Sequence, residues 1–212
     1  MRPGREATAL EQVFGADHLA RLPEERLPAT VTDPGARAFL TGIGLPTAPG
    51  AVIRADEGLA AGQPSPLGGA MLLVGRYGTA RFVLDGSSGA VHALLPGQDP
   101  TAGTRPAHRD PGSLVRCLLA FGGRELWLLS DLMDPDTADW CREHLPGFAE
   151  LCPVRDEEDD LLPDEEDDDF LARLPDADEV LAELTARLRQ IEPQITDQPV
   201  WQAILRDFRH GY

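Results

Sequence analysis

His108-Arg109-Asp110 spells the catalytic-loop triplet of protein kinases. That chemistry also needs an asparagine at a fixed later spacing, an Asp-Phe-Gly, and a lysine on the phosphates. The sequence supplies none of them, and all 19 of its basic residues are arginine. The triplet therefore reads as a loop coincidence. The missing lysine also removes Walker A phosphate loops and Schiff-base enzymes. Cys141, His144 and Cys152 do not have zinc-finger spacing, and no fourth ligand accompanies them. His144 fits the end of a short helix over Asp136 to Leu145, where a cation meets the negative end of the dipole. Gly86-Ser87-Ser88-Gly89 is out of frame for a nucleophile elbow, and Gly42-Ile43-Gly44 lacks the third glycine of a dinucleotide loop. The five histidines, His18, His92, His108, His144 and His210, stand in unrelated contexts. No catalytic residue, cofactor or metal is assigned, and the chain is not expected to be an enzyme.

The conspicuous chemistry is acid. Of the fourteen residues 156–169, eleven are carboxylates: Asp156, Glu157, Glu158, Asp159, Asp160, Asp164, Glu165, Glu166, Asp167, Asp168 and Asp169. The formal charge of the chain is −17, so the rest carries only −6. The run lacks the alternation and the glycine of a calcium-binding loop. Blocks of like charge repel themselves, which predicts a mobile loop at 156–169. Such a field repels nucleic acid and anionic lipid and favours a basic protein as partner. The bland alternative is a solvated linker.

Around this run the chain patterns as a folded protein. About a quarter of its residues are Leu, Val, Ile or Phe, above the ~20% typical of disordered chains. Leu10, Val13 and Phe14 make one helical stripe ended by Gly15. Thr32 or Asp33 caps a second helix with Pro34 in its first turn and Phe39 and Leu40 on its stripe. That helix stops in Gly42-Ile43-Gly44-Leu45-Pro46. Ala51 to Ala55 fits a short strand, and Gly58 to Gly69 reads as small, flexible loop. Ala70 to Val74, Arg81 to Leu84 and Ala90 to Leu95 read as an antiparallel meander. Its turns are expected at Gly75 to Gly78 and Asp85 to Gly89. Phe82 with Leu84, and Val91 with Ala93 and Leu95, predict a face covered by helices. Asp110 or Ser113 caps a helix through Phe121 that Gly122-Gly123 interrupts. Cys117 falls in its apolar stripe and reads as core. Leu126, Trp127 and Leu129 fit strand or helix. Two amphipathic helices follow over 176–210. Asp176 or Asp178 caps the first, with Val180, Leu181, Leu184, Leu188 and Ile191 on its stripe. Asp197 caps the second, with Val200, Trp201, Ile204, Leu205 and Phe208. The fold class expected is α+β: an antiparallel-rich central sheet packed by helices, as one domain over 1–212. No apolar stretch follows Met1 to Glu6, no run approaches the ~20 residues of a membrane span, and three cysteines make no disulfide framework. These point to a soluble cytoplasmic protein.

The order of elements resembles a family. Phe14-Gly15, Leu22-Pro23, Leu27-Pro28, Asp33-Pro34, Arg37-Ala38-Phe39-Leu40 and Gly44-Leu45-Pro46 resemble the opening of the SUKH-4 immunity proteins of actinobacteria. Leu72-Leu73-Val74-Gly75, Phe82-Val83-Leu84-Asp85 and Gly89-Ala90-Val91 are similar to that family's central strands and turn. The helix from Ser113 to Phe121 and the Ile191-Glu192-Pro193 break before a tryptophan-bearing helix are also similar. The resemblance covers 14 to about 121 and 176 to 210. Asp110-Pro111-Gly112-Ser113 departs from the family's Asn-Ser-Ser, and residues 122–169 match nothing in it. The resemblance implies the SUKH fold and an immunity protein that binds and blocks a cognate toxin, in such systems often a basic nuclease or nucleic-acid deaminase. A Smi1/Knr4-like regulatory scaffold is the alternative. With that role, the acidic run 156–169 is the expected steering element. Arg81 and His92, on a sheet face expected to be exposed, are the expected contacts.

Overall fold

Leu10 and Phe14 lie one turn apart on helix α1 (Pro3–Phe14), and both are buried. Gly15 closes the helix at φ 79°, its N–H reaching the carbonyl of Glu11. A computed structural model describes residues 3–48, 51–100, 105–130 and 177–209. Asp33 caps α2 (Pro34–Ala38), its carboxylate accepting from the Ala36 N–H at 2.7 Å, with Pro34 at the first helical position. The helix then widens into a π turn over Phe39–Ile43, which the stripe of Phe39 and Leu40 did not foretell. The π turn keeps Phe39, Leu40 and Ile43 all buried on one side.

Gly44 ends that turn and leads the chain into a two-stranded pair, β1 (Leu19–Ala20) with β2 (Leu45–Pro46). The main sheet is antiparallel throughout. Its strands are β3 (Arg54–Ala55), β4 (Ser65–Pro66), β5 (Met71–Tyr77), β6 (Ala80–Asp85) and β7 (Val91–Leu94), in the order β3-β5-β6-β7 with β4 also on β5. The expected meander is therefore present, but three boundaries differ. The strand expected over Ala51 to Ala55 is reduced to its last two residues. The stretch Gly58 to Gly69 is not plain loop: it holds β4 and most of α3 (Glu57–Ala60), whose cap Asp56 accepts from the Gly58 N–H. And β5 continues through Gly75-Arg76-Tyr77, turning only at Gly78-Thr79. Gly75 is in the sheet because a Cβ there would stand 3.0 Å from the Arg54 carbonyl and 3.1 Å from Ile53 and Leu45 side chains. Its glycine serves a close approach, with a register shift between Leu73 and Gly75.

One face of the sheet, with Leu72, Phe82, Leu84 and Val91, packs into a core shared with α1, the π turn and the later helices. Helix α4 (Pro111–Ser130) is capped by Asp110, which accepts from the Ser113 N–H at 2.8 Å. It runs straight through Gly122-Gly123, so the expected interruption is absent and Leu126 to Leu129 are helical. Two glycines cost a helix about 1 kcal/mol each, a propensity that the surrounding 20-residue helix overrides. Both C-terminal helices are present, α5 (Ala177–Ile191) and α6 (Pro199–Arg209). Asp178 lies inside the first turn of α5, and Asp176 falls outside the described residues. The residue before α6 is Gln198 rather than Asp197, because Pro199 takes the first helical position.

Helix α6 docks through Trp201. The indole is fully buried, stacked on Phe121 at 5.9 Å and edge-on to Phe82 and His108 at 6.2 and 5.4 Å. Tyr77 at the end of β5 donates its hydroxyl to Asp207 at 2.6 Å. Arg109 donates to the Ile191 carbonyl and faces Glu192, tying the α5–α6 connection to the start of α4.

Candidate functional site

Antiparallel pairing puts cross-strand partners on the same side of a sheet. The register pairs Arg54 with Arg76, Arg76 with Arg81, and Arg81 with Leu94. Three guanidinium groups thus stand in a row across β3, β5 and β6, on the face opposite the main core. Strand spacing of about 4.8 Å makes the row about 10 Å long. Asp56, 4% exposed, neutralises only the middle member, accepting from Arg76 Nε at 2.7 Å. Arg81 donates to a neutral acceptor, the Gln98 carbonyl, at 2.8 Å. Arg54 and Arg76 are exposed and Arg81 is half-buried. The expected contact Arg81 is therefore one member of a cationic row in an otherwise acidic protein.

His92 behaves differently. It pairs with Val83 in the next row of the same face and is 8% exposed. Around it Leu73, Val83 and Leu94 are buried as a second apolar cluster with Leu67 and Met71. The sheet face expected to be exposed is closed at His92, because the residues between the polar ones in β5, β6 and β7 are themselves large and apolar. Arg54 and Arg76 were missed for a related reason. Arg76 reads as turn while Gly75 is taken as a turn residue, and no linear spacing links positions 54, 76 and 81. Only the register brings them together.

Like charges directly opposite one another in a sheet are destabilising. Arg54→Glu replaces one repulsive pair by an attractive one. It is expected to raise stability by about 0.5–1 kcal/mol, read as a higher urea midpoint at unchanged slope. No gain would mean that Arg54 and Arg76 do not feel each other across the strands.

The remaining polar features serve structure. Burial alone would raise the Asp85 carboxyl, but donations from Ser88 and Ser87 together outweigh it and hold it below the usual range. The Gly86 to Gly89 serines are thus turn formers. Cys117 is fully buried, and burial pushes its thiol well up, which suits a core residue. Among the described residues no three His, Cys, Asp or Glu side chains gather as a metal site, and no helix is long and apolar enough to cross a membrane. Cys141, His144, Cys152, His210, the helix expected at Asp136 to Leu145 and the whole acidic run 156–169 lie outside the described residues.

A family model described as SUKH-4 immunity protein matches residues 5–207. The chain belongs to the SUKH-4 immunity protein family. The match spans residues 122–169, which the resemblance drawn from short motifs did not reach. Searches of curated proteins and of solved structures each gave no match. Membership of an immunity-protein family implies a toxin-neutralising role and a cognate toxin as partner. The α+β architecture with its antiparallel sheet is the fold that the resemblance implied.

Proposed function

We propose that this SUKH-4 protein neutralises its toxin by stoichiometric masking, as a single domain over 1–212 acting in the cytoplasm, and that the toxin is basic, a nuclease or nucleic-acid deaminase. The observation that carries this is the charge distribution: eleven of the fourteen residues 156–169 are acidic, in a family of immunity proteins. A toxin built to hold phosphates presents cations, and a carboxylate run competes for them. A masking protein needs about 800 Å² of complementary surface, with charge mainly setting the rate and orientation of approach. The acidic run is the steering element in this reading. The Arg54–Arg76–Arg81 row repels the same cationic cleft, which disfavours docking by the wrong face. His92, being buried, offers little surface to a partner.

The test is stopped-flow association with the toxin that the protein protects against, identified by co-expression rescue. Deleting residues 156–169 is expected to slow association about tenfold or more at low ionic strength. The difference should fade at high salt, where exposed charges are screened beyond about a Debye length. An unchanged on-rate at low salt removes the run from the mechanism.

A further inference from the structure

His108 occupies an unusual place in the core. Its backbone is fixed by an antiparallel bridge, the Val91 N–H reaching the His108 carbonyl at 2.9 Å and the His108 N–H returning to Val91 at 3.0 Å. Its ring is 0% exposed, lies edge-on to Trp201 of α6, and among the described residues has no hydrogen-bond partner for Nδ1 or Nε2. A fully buried imidazole whose two ring nitrogens meet no acceptor among the described residues has no protein group there to receive a second N–H.

Among the described residues, the charged group that acts on it is a cation. Helix α4 supplies Arg116, a cation already held by Glu6 of α1 at 3.0 Å. Helix α6 supplies Trp201, whose indole N–H is itself unpartnered. Beside His108, Arg109 faces both Asp110 and Glu192, and Glu192 follows α5. His92 follows Val91 on the opposite face of β7.

We propose that His108 is an acid-operated release for α6: the closed core accepts it only as a neutral ring, and an opened α6 lets it take a proton. Burial first, and the Arg116 charge second, push the closed-state pKa down to about 3, against 6.5 for a solvated ring. The folded value is depressed, so the open state binds the extra proton between these values. Closure is at full strength above pH 6.5 and weakens as the pH falls toward 3. In that window the opening constant rises about tenfold per pH unit, or about 30-fold at pH 5 relative to neutral pH.

Native-state hydrogen exchange reads this directly, after correction for the intrinsic pH dependence of exchange. Between pH 8 and pH 5 the α6 amides should open about 30-fold more often while those of β5 and β6 keep their protection. His108→Phe keeps a ring against Trp201 but cannot titrate, so its α6 opening should be flat over the same range. That variant keeps His18 and His92 in place, so a slope that disappears in it belongs to His108. A slope that survives in His108→Phe, or an equal rise in β5 and β6, overturns the proposal. A second measurement needs no variant: by NMR the His108 ring of the native protein should stay neutral down to pH 5. A ring titrating near 6.5 in the folded protein overturns the proposal as well.

Discussion

Trp201→Ala is expected to destabilise this protein by about 3–5 kcal/mol, a large share of the total for a protein of this size. The side chain is fully buried among Phe82, His108 and Phe121, which come from the sheet, from the bridge beside it and from α4. Removing it leaves a cavity where three elements meet, and none of them can close it without leaving its own register. Trp201→Phe should cost much less than its volume change suggests, because it also deletes the unpartnered buried indole N–H. Urea unfolding at constant slope measures both. A loss below about 1 kcal/mol for the alanine variant would mean that α6 is not seated on the sheet in this way.

Gly44→Ala is the second large effect, with an expected cost of about 3 kcal/mol. Gly44 has φ 79° and ψ −172°, a combination essentially reserved for glycine. A Cβ there would sit 2.4 Å from the Ala20 carbonyl oxygen, which is backbone and fixed by the β1–β2 pair. Strain and overlap therefore act together. Gly42, two residues earlier, is the control: a Cβ at that site meets nothing within 4 Å, and its φ is not positive. Gly42→Ala should be neutral or stabilising by up to about 1 kcal/mol, through the unfolded chain. Equal effects at the two positions, measured by thermal or urea unfolding, would contradict the geometry at Gly44.

These contrasts show which parts of the fold a sequence exposes. Local signals were readable where the chemistry is local. Asp33 and Asp110 cap helices because a carboxylate three residues before a backbone N–H can reach it, and Pro34 and Pro111 follow them. The stripe Val200, Trp201, Ile204 and Phe208 is buried as its spacing requires. Glycine misled at three places, because its type does not say why it is there. Gly75 marks a close approach inside a strand, Gly122-Gly123 lies within a helix, and the glycine-rich 58–69 stretch holds a short helix and a strand. The candidate site was legible only in part. Arg81 was visible as a polar residue on a strand, but its neighbours Arg54 and Arg76 depend on pairing across the sheet. Strict alternation would put His92 on open surface, whereas β5, β6 and β7 carry apolar side chains on both faces. The kinase-like spelling at His108 reads as a loop coincidence, and its burial beneath Trp201 has no signature in the sequence.

The hydroxyl of Tyr77 and the carboxylate of Asp207 meet across 130 positions of sequence. Trp201 likewise completes contacts begun by Phe82 and Phe121. A ribosome that has made the strands and α4 has therefore made a body with an open seam, its aromatic interior still wet. The seam needs α6 to close it, so the aromatic core depends on contacts that are remote in sequence. A chain lacking α6 would leave Phe82 and Phe121 without their aromatic partner, an apolar half-core of the kind chaperones and proteases act on.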